Sequence, residues 1–218
     1  IDRPVRHVDI APTVLEAVGS PAPAALSGTS LLEVMRERTG PDRPTYFESM
    51  TYNLVRGWAP LRGVLVEREK YIDLPIAELY DLAADSKEER NLATESAGRL
   101  QVLVNVLRGY NTALPSRPGR EAADVTRSLR ALGYITGSTP PRTTYTDADD
   151  PKRLVEVDRD LHAATEHFQQ GRLSEAVKLF SSVITRRADT VDAYIQLAYA
   201  YYESGQVEPA IATLGTWW

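Results

Sequence analysis

The sequence predicts two regions of different fold class, an α/β region over residues 1–135 and an all-α region of helical hairpins over residues 151–218. The first region mixes runs of β-branched and aromatic residues with helices of 3.6-residue period. The second region carries an internal repeat at an offset of 34 residues. Between them, residues 136–150 (TGSTPPRTTYTDADD) are polar, contain two adjacent prolines and show no period, so they predict a linker.

The composition is that of a folded protein, with 43% apolar and 25% charged residues in a chain of 218. The formal charge of −5 and the lack of a long basic block argue against nucleic acid as a partner. Because there is no cysteine, this chain cannot form a disulfide, a thiolate metal site or a cysteine nucleophile. No apolar run approaches the roughly 20 residues that cross a bilayer, so we expect no membrane span.

Two short helices are predicted near the start. The first runs from about Ala11 to Val18, because it follows Asp9 as N-cap, has Pro12 in its first turn and stops at Gly19. The second lies in GTSLLEVMRER and is capped by Thr29 or Ser30.

Strand signals follow. The run PTYFES predicts one strand, and PLRGVLVEREKYIDL predicts a hairpin with its turn in EREK. The alternation in AELYDL is typical of a short strand at a sheet edge. The α/β region is therefore expected to contain a small antiparallel sheet.

From Ser86 onward the period becomes helical. We expect helices in SKEERNLA, in SAGRLQVLVNVLRGYNTAL and in REAADVTRSLRALGY. The second of these has Leu100, Leu103, Val104 and Leu107 at the i, i+3, i+4, i+7 spacing of one buried face.

The internal repeat aligns LHAATEHFQQGRLSEAVKLF, residues 161–180, with IQLAYAYYESGQVEPAIATL, residues 195–214. A glycine ends the first helix of each copy, small alanines let the two helices approach, and aromatic residues fill the groove between them. The matched pairs are Leu161 with Ile195, Ala164 with Ala198, Phe168 with Tyr202, Gly171 with Gly205, Leu173 with Val207, Ala176 with Ala210, Val177 with Ile211, and Phe180 with Leu214.

This pattern resembles the tetratricopeptide repeat, a helical hairpin of about 34 residues. The resemblance covers about one and three-quarter units and implies that the array continues in a longer protein. It also implies that the last helix here has few neighbours, and that the repeats can bind a protein or peptide. The residues to which it gives a packing role are Ala164, Phe168, Gly171, Ala176, Phe180, Ala198, Tyr202, Gly205, Ala210 and Leu214.

The α/β region resembles the C-terminal portion of sulfatases of the alkaline phosphatase superfamily. The segment VRHVDIAPTVLEAVGSPAP, followed by GTSLLEVM, is similar to the stretch after their metal site. The segment RGWAPLRGVLVEREKYIDLPIAELYDLAADSKEERNLA is similar to their C-terminal subdomain, in which a hairpin strand leads to ELYDL. Together with the repeats, the chain resembles bacterial sulfatase-like hydrolases that carry tetratricopeptide repeats at their C-termini.

The resemblance implies an α/β fold of the alkaline phosphatase type and hydrolysis of sulfate or phosphate esters by the whole protein. The resemblance implies that the family's nucleophile, a Cys or Ser in a C/S-x-P-x-R motif, and its metal-binding clusters belong to a region upstream of this sequence. We therefore expect this chain to hold no catalytic or metal-binding residue, no cofactor and no hydrolase activity of its own. The resemblance implies an upstream catalytic half as its partner, calcium or another divalent metal in that half, and an extracytoplasmic location.

A few polar residues are candidates for a site. His7 and Asp9 could form a metal pair, although Asp9 is better interpreted as the helix N-cap. Glu48, Tyr52, Arg56 and Trp58 lie in the polar-aromatic loop ESMTYNLVRGW, and the resemblance places such a loop at the rim of an active site. Ordinary loop packing is the alternative for each of the four.

Three functions are compatible with these residues. The first is a structural segment of a sulfatase-like hydrolase, and the second is a protein-interaction module that uses the repeats. The third is a member of the sulfatase family that has no catalytic activity.

Overall fold

The computed structural model describes residues 5–37, 43–110 and 142–216. The helix predicted in REAADVTRSLRALGY, the boundary at residue 135 and the first part of the predicted linker lie outside these residues. The chain divides into two compact units. The first comprises Ile1–Phe47, Gly63–Ile72 and Glu78–Asn111, and the second comprises Glu48–Arg62, Asp73–Ala77 and Thr112–Trp218.

The regular elements confirm the predicted classes, a small antiparallel sheet with helices followed by helical hairpins. Two short 3-10 helices, His7–Asp9 and Asp147–Asp149, accompany them. In chain order the elements are α1 (Ile10–Ala17), α2 (Leu31–Glu37), β1 (Thr45–Ser49), α3 (Thr51–Arg56), β2 (Leu61–Val66), β3 (Glu69–Asp73), β4 (Glu78–Asp81), α4 (Ala97–Arg108), α5 (Pro151–Gln169), α6 (Leu173–Arg186), α7 (Val191–Glu203) and α8 (Val207–Gly215).

Helices α1 and α2 begin and end close to the predicted residues. The backbone of Gly19 is left-handed, with φ of 71°, where the chain leaves α1. This conformation is the one that favours glycine after a helix. The Ser30 hydroxyl accepts a hydrogen bond from the Leu32 N–H at 3.1 Å, so Ser30 caps α2.

The strands form one sheet in the order β1-β2-β3-β4, which places β4 at an edge as predicted. Strands β3 and β4 are antiparallel, with Tyr71 opposite Leu79. Glu67, inside the predicted EREK turn, has a φ of 52°. Gly63 in β2 lies so close to the Phe47 ring and the Tyr71 carbonyl that an added Cβ would overlap both.

The helix predicted in SKEERNLA is wrong, because these residues form turns. Two polar side chains take backbone N–H groups that a helix would use: the Asp85 carboxylate accepts from Arg90 N at 2.8 Å, and the Asn91 side-chain oxygen accepts from Ala93 N at 2.9 Å. The same Asn91 oxygen also accepts from Leu79 N of β4 at 3.0 Å. Glu88 adopts a left-handed φ of 59°. The helix begins only at α4, where Leu103 and Leu107 of the predicted face are buried.

Helices α5 to α8 form two successive hairpins in the second unit. The Asp150 carboxylate caps α5 by accepting from Lys152 N at 3.0 Å. Gly171 and Gly205 have φ of 73° and 76° and lie in the short turns within the two hairpins. Among the described residues of this unit, the core is a cluster of buried side chains: Trp58, Leu154, Val157, Leu161, Ala164, Ala176, Phe180, Val183, Ala193 and Leu197.

Candidate functional site

His7 and Asp9 do not form a pair. His7 is exposed in a 3-10 helix, whereas Asp9 is buried. Asp9 lies at the N-cap position of α1, but its carboxylate accepts from the Arg6 guanidinium at 2.8 Å and from Thr29 N at 2.9 Å instead of capping α1. Burial alone would raise the pKa of Asp9, but the hydrogen bonds from Arg6 and Thr29 lower it overall. Asp9 therefore links the start of α1 to the loop before α2.

No group of three or more histidine or carboxylate side chains in the described parts of the chain could hold a metal ion. Within those same residues, no helix is long and apolar enough to cross a membrane.

Three of the four loop candidates, Tyr52, Arg56 and Trp58, form one aromatic and cationic cluster. The Tyr52 and Trp58 rings stack with centroids 4.7 Å apart. The Arg56 guanidinium lies over both rings, 5.0 Å and 5.6 Å from their centroids. Such a cation–π arrangement fixes the three side chains relative to one another.

This loop cluster packs on α5, the first helix of the repeats. Trp58 is buried in the same core as Leu154, Val157 and Leu161 of that helix. Arg56 forms an ion pair with Asp158, and the Tyr52 hydroxyl donates to the same carboxylate at 3.3 Å. The loop is thereby a neighbour of α5.

Backbone contacts support the same packing. The Ala59 N–H donates to the Asp149 carbonyl at 2.9 Å. The Ile76 N–H donates to the buried Asp150 carboxylate at 2.8 Å, and the Lys152 ammonium donates to the Ile76 carbonyl at 2.8 Å. Segments 48–62 and 73–77, which are far from the repeats in sequence, thus belong to the repeat unit in space.

The fourth loop candidate, Glu48, is exposed in β1. A role for Glu48, Tyr52, Arg56 and Trp58 at an active-site rim stays a prediction. What the structure adds is a packing role for the last three against α5.

The repeat residues of the first hairpin are largely enclosed. Ala164, Ala176 and Phe180 have no exposed surface, and Phe168 is partly buried against the same core. Helix α7 contributes Ala193 and Leu197 to that core, so it is the next layer on this hairpin.

The matching residues of the second hairpin differ. Ala198 and Ala210 are buried, but Tyr202 and Leu214 are 62% and 45% exposed. They line an apolar groove of about 450 Å³ on the α7–α8 hairpin, which is a candidate binding surface. Its lining residues are Ile195, Ala198, Tyr199, Tyr202, Val207, Ala210, Ile211 and Leu214.

Sequence reasoning missed the packing of the loop on the repeats. A large apolar residue, Trp58, in a polar loop was the available signal, because an indole of this size is seldom left in water. The sequence contains no sign of which helix would cover it.

Comparisons with known proteins agree with this architecture. Residues 1–108 match a family model described as the C-terminal part of N-sulphoglucosamine sulphohydrolase. Residues 167–218 match a model of the tetratricopeptide repeat. No curated protein sequence matches the chain.

Among solved structures, one described as Ps i-CgsB is 17% identical, with a TM-score of 0.44 over 60% of this chain. The same figures hold for Ps i-CgsB in complex with k-i-k-neocarrahexaose. A structure from Bacteroides thetaiotaomicron, from work on the metabolism of multiple glycosaminoglycans, is 18% identical, with a TM-score of 0.36 over 46% of this chain and 24% of its own. The present chain spans 30% of the length of the Ps i-CgsB structures.

The chain therefore joins the end of a sulfatase-type α/β region to a helical-hairpin repeat module. Residues 1–108 are similar to the C-terminal part of a sulfatase family, and residues 167–218 are similar to the tetratricopeptide repeat. Both predicted resemblances are confirmed.

Proposed function

We propose that the chain is the C-terminal segment of a sulfatase-like hydrolase that acts on sulfate or phosphate esters. The observation that carries the proposal is the match of residues 1–108 to the C-terminal part of a sulphohydrolase family. In this proposal, the nucleophile and the metal ligands belong to residues upstream of Ile1. The segment described here supports that site structurally.

A divalent metal such as calcium is part of the proposal for the whole hydrolase. It would stabilise the negative charge on the transferred group. No described carboxylate or imidazole group of this chain forms a cluster that fits such an ion. We therefore assign its ligands to the upstream catalytic half.

The test compares the 218-residue chain with the longer protein that contains it, using 4-nitrophenyl sulfate and 4-nitrophenyl phosphate. We expect turnover by the longer protein that a chelator removes, and no turnover by the 218 residues alone. Turnover by the 218 residues that persists through repurification would contradict the proposal. An inactive longer protein would favour the third function, a family member without catalytic activity.

The second candidate function is protein interaction through the repeats. Tetratricopeptide repeats suggest such a role, and the exposed apolar groove on α7 and α8 is the specific observation that favours it. The test is affinity capture with the chain as bait and with a bait that lacks residues 206–218, which removes α8 and keeps α7 on the first hairpin. Loss of a captured protein from the shortened bait, whose remaining fold is checked by circular dichroism, is the expected result; equal capture by both baits would contradict it.

A further inference from the structure

The start of α5 makes contacts that neither family similarity describes. The two matched ranges are residues 1–108 and residues 167–218, so the start of α5 belongs to neither. Asp149 and the first turns of the helix, residues 149–158, bond to several distant parts of the chain. We call residues 149–158 the latch.

The latch holds the connection between β1 and β2, residues 50–60, which we call the first connection. The Trp58 indole is 3% exposed and lies in one core cluster with Leu154 of the latch. The Ala59 N–H donates to the Asp149 carbonyl at 2.9 Å. A buried side chain and a backbone hydrogen bond at adjacent residues therefore fix this connection to the latch.

The latch also holds the connection between β3 and β4, residues 74–77, which we call the second connection. The Ile76 N–H donates to the Asp150 carboxylate at 2.8 Å, and the Ile76 carbonyl accepts from the Lys152 ammonium at 2.8 Å. The Asp150 side chain is fully buried, so its bond to Ile76 is shielded from water. Both backbone groups of one residue are thus bonded to the latch.

Arg187, which follows α6 in the turn between the two hairpins, ties the latch to the repeats. Its guanidinium donates to the Asp149 carboxylate at 2.9 Å and to the Ala148 carbonyl at 2.8 Å. The Arg187 side chain is only 9% exposed, so these charge-assisted bonds are shielded from solvent. Asp149 therefore bonds the first connection through its carbonyl and the turn between the hairpins through its carboxylate.

We propose that the latch couples the repeats to both strand connections, so that displacing the turn between the hairpins loosens the two connections together. The connections are separate in sequence, but both bond to one short stretch of chain that Arg187 holds in place. By linkage, a partner that shifts this turn on binding to the repeats would change the mobility of both connections. The repeats would then act on the sulfatase-like region through its own loops.

The alternative is that each connection is held by its own local contacts. In the first connection, the Asn53 side chain donates to the Trp58 carbonyl at 2.7 Å and closes the loop on itself. If local contacts of this kind were sufficient, a change at Arg187 would leave the Ala59 and Ile76 N–H groups unaffected.

The experiment measures amide hydrogen exchange by NMR on the full 218-residue chain. The Ala59 and Ile76 N–H groups report on the first and second connections. The Leu79 N–H, which donates to the Asn91 side chain at 3.0 Å, is the reference amide outside the latch. The Phe180 N–H, within α6, reports on unfolding of the repeats.

Arg187→Ala removes the tie between the turn and the latch. We expect exchange at both connections to become roughly tenfold faster or more, with a smaller increase in α6 and a change of less than about threefold at the reference amide. Arg187→Lys, which keeps the positive charge but not the paired donors, should give an intermediate increase. Arg159→Ala is the matched control, because Arg159 is an exposed arginine of α5 in an ion pair with Glu156. It should change exchange at either connection by less than about threefold.

The reverse direction is tested with Lys152→Ala, which removes the donor to the Ile76 carbonyl at an exposed side chain and should fold normally. Because coupling is reciprocal, we expect faster exchange at Ala59 as well as at Ile76, by about threefold.

Three outcomes would overturn the proposal. They are faster exchange in only one of the two connections, an increase in α6 equal to that in the connections, which would indicate unfolding of the whole repeat unit, or equal effects of Arg187→Ala and Arg159→Ala. The measurement requires neither hydrolase activity nor a partner protein, so its outcome is independent of the proposed function.

Discussion

The two repeat hairpins have the same sequence pattern but different surroundings. Phe180 in the first hairpin is completely buried, whereas its counterpart Leu214 is 45% exposed. The first hairpin has a neighbour in α7 and another in the loop that carries Trp58. The comparison shows that the pattern specifies the hairpin, while burial depends on the element that packs next to it.

The largest difference should appear when the matched core positions are shortened. Phe180→Ala should destabilise the repeat unit by about 3–5 kcal/mol, because it leaves a cavity in a closed core. Leu214→Ala should cost about 1 kcal/mol or less, since much of that side chain is already in water. Hydrogen–deuterium exchange followed by mass spectrometry measures both, in α6 for Phe180→Ala and in α8 for Leu214→Ala; similar losses in the two variants would contradict the distinction.

The loop neighbour of the first hairpin can be tested in the same way. Trp58→Ala should destabilise α5 by about 3 kcal/mol, because the indole is 3% exposed among the side chains of α5. Tyr199→Ala, at an exposed aromatic residue of the second hairpin, is the control and should change little. If exchange in α5 were unaffected by Trp58→Ala, the loop would not be part of the repeat unit.

The elements with a regular period were predictable from sequence. Helix α1, the hairpin of β2 and β3, the edge position of β4 and the repeat helices all follow from local periodicity and turn residues. Ser30 and Gly19 mark helix ends because their side chain or backbone conformation suits that position. These features depend on residues close together in the chain.

The features that were missed depend on side chains that bond outside the expected element. SKEERNLA has helical composition, yet Asp85 and Asn91 accept from backbone N–H groups and hold the segment in turns. The loop candidates were identified, but not their packing on α5. The contact of Arg56 with Asp158 joins residues 102 positions apart, and no local pattern reports it.

A smaller effect is expected at the start of the first hairpin, where one buried carboxylate makes the stability of the fold depend on pH. Asp149 is buried next to α5 and accepts from Thr146 N at 2.8 Å and from the Arg187 guanidinium at 2.9 Å. Burial alone would raise the pKa of Asp149, but the hydrogen bonds from Thr146 and Arg187 lower it overall. Because the folded-state pKa lies below the unfolded one, this carboxylate stabilises the fold above about pH 4, and the stabilisation is lost as the pH falls through the folded pKa.

Asp149→Asn should therefore lower the stability of the repeat unit at neutral pH. It should also reduce the further loss of stability as the pH falls. Asp147→Asn removes an exposed neighbouring carboxylate and serves as the control. Urea unfolding at a series of pH values from 7 to 3 measures the slope. An unchanged slope in Asp149→Asn would show that this carboxylate does not contribute to the acid response.

The smallest effect concerns the ion pair between the loop and α5. The Arg56 and Asp158 side chains are 13% and 25% exposed, so their pair is partly shielded from water. A double-mutant cycle with Arg56→Ala and Asp158→Ala should give a coupling energy of about 1 kcal/mol.

The control cycle is Glu156 with Arg159, an ion pair on the same helix whose side chains are 59% and 68% exposed. That pair should couple by less than about 0.5 kcal/mol, because solvent and salt screen it. Equal coupling in the two cycles would mean that the contact of Arg56 with Asp158 is no more than a surface ion pair.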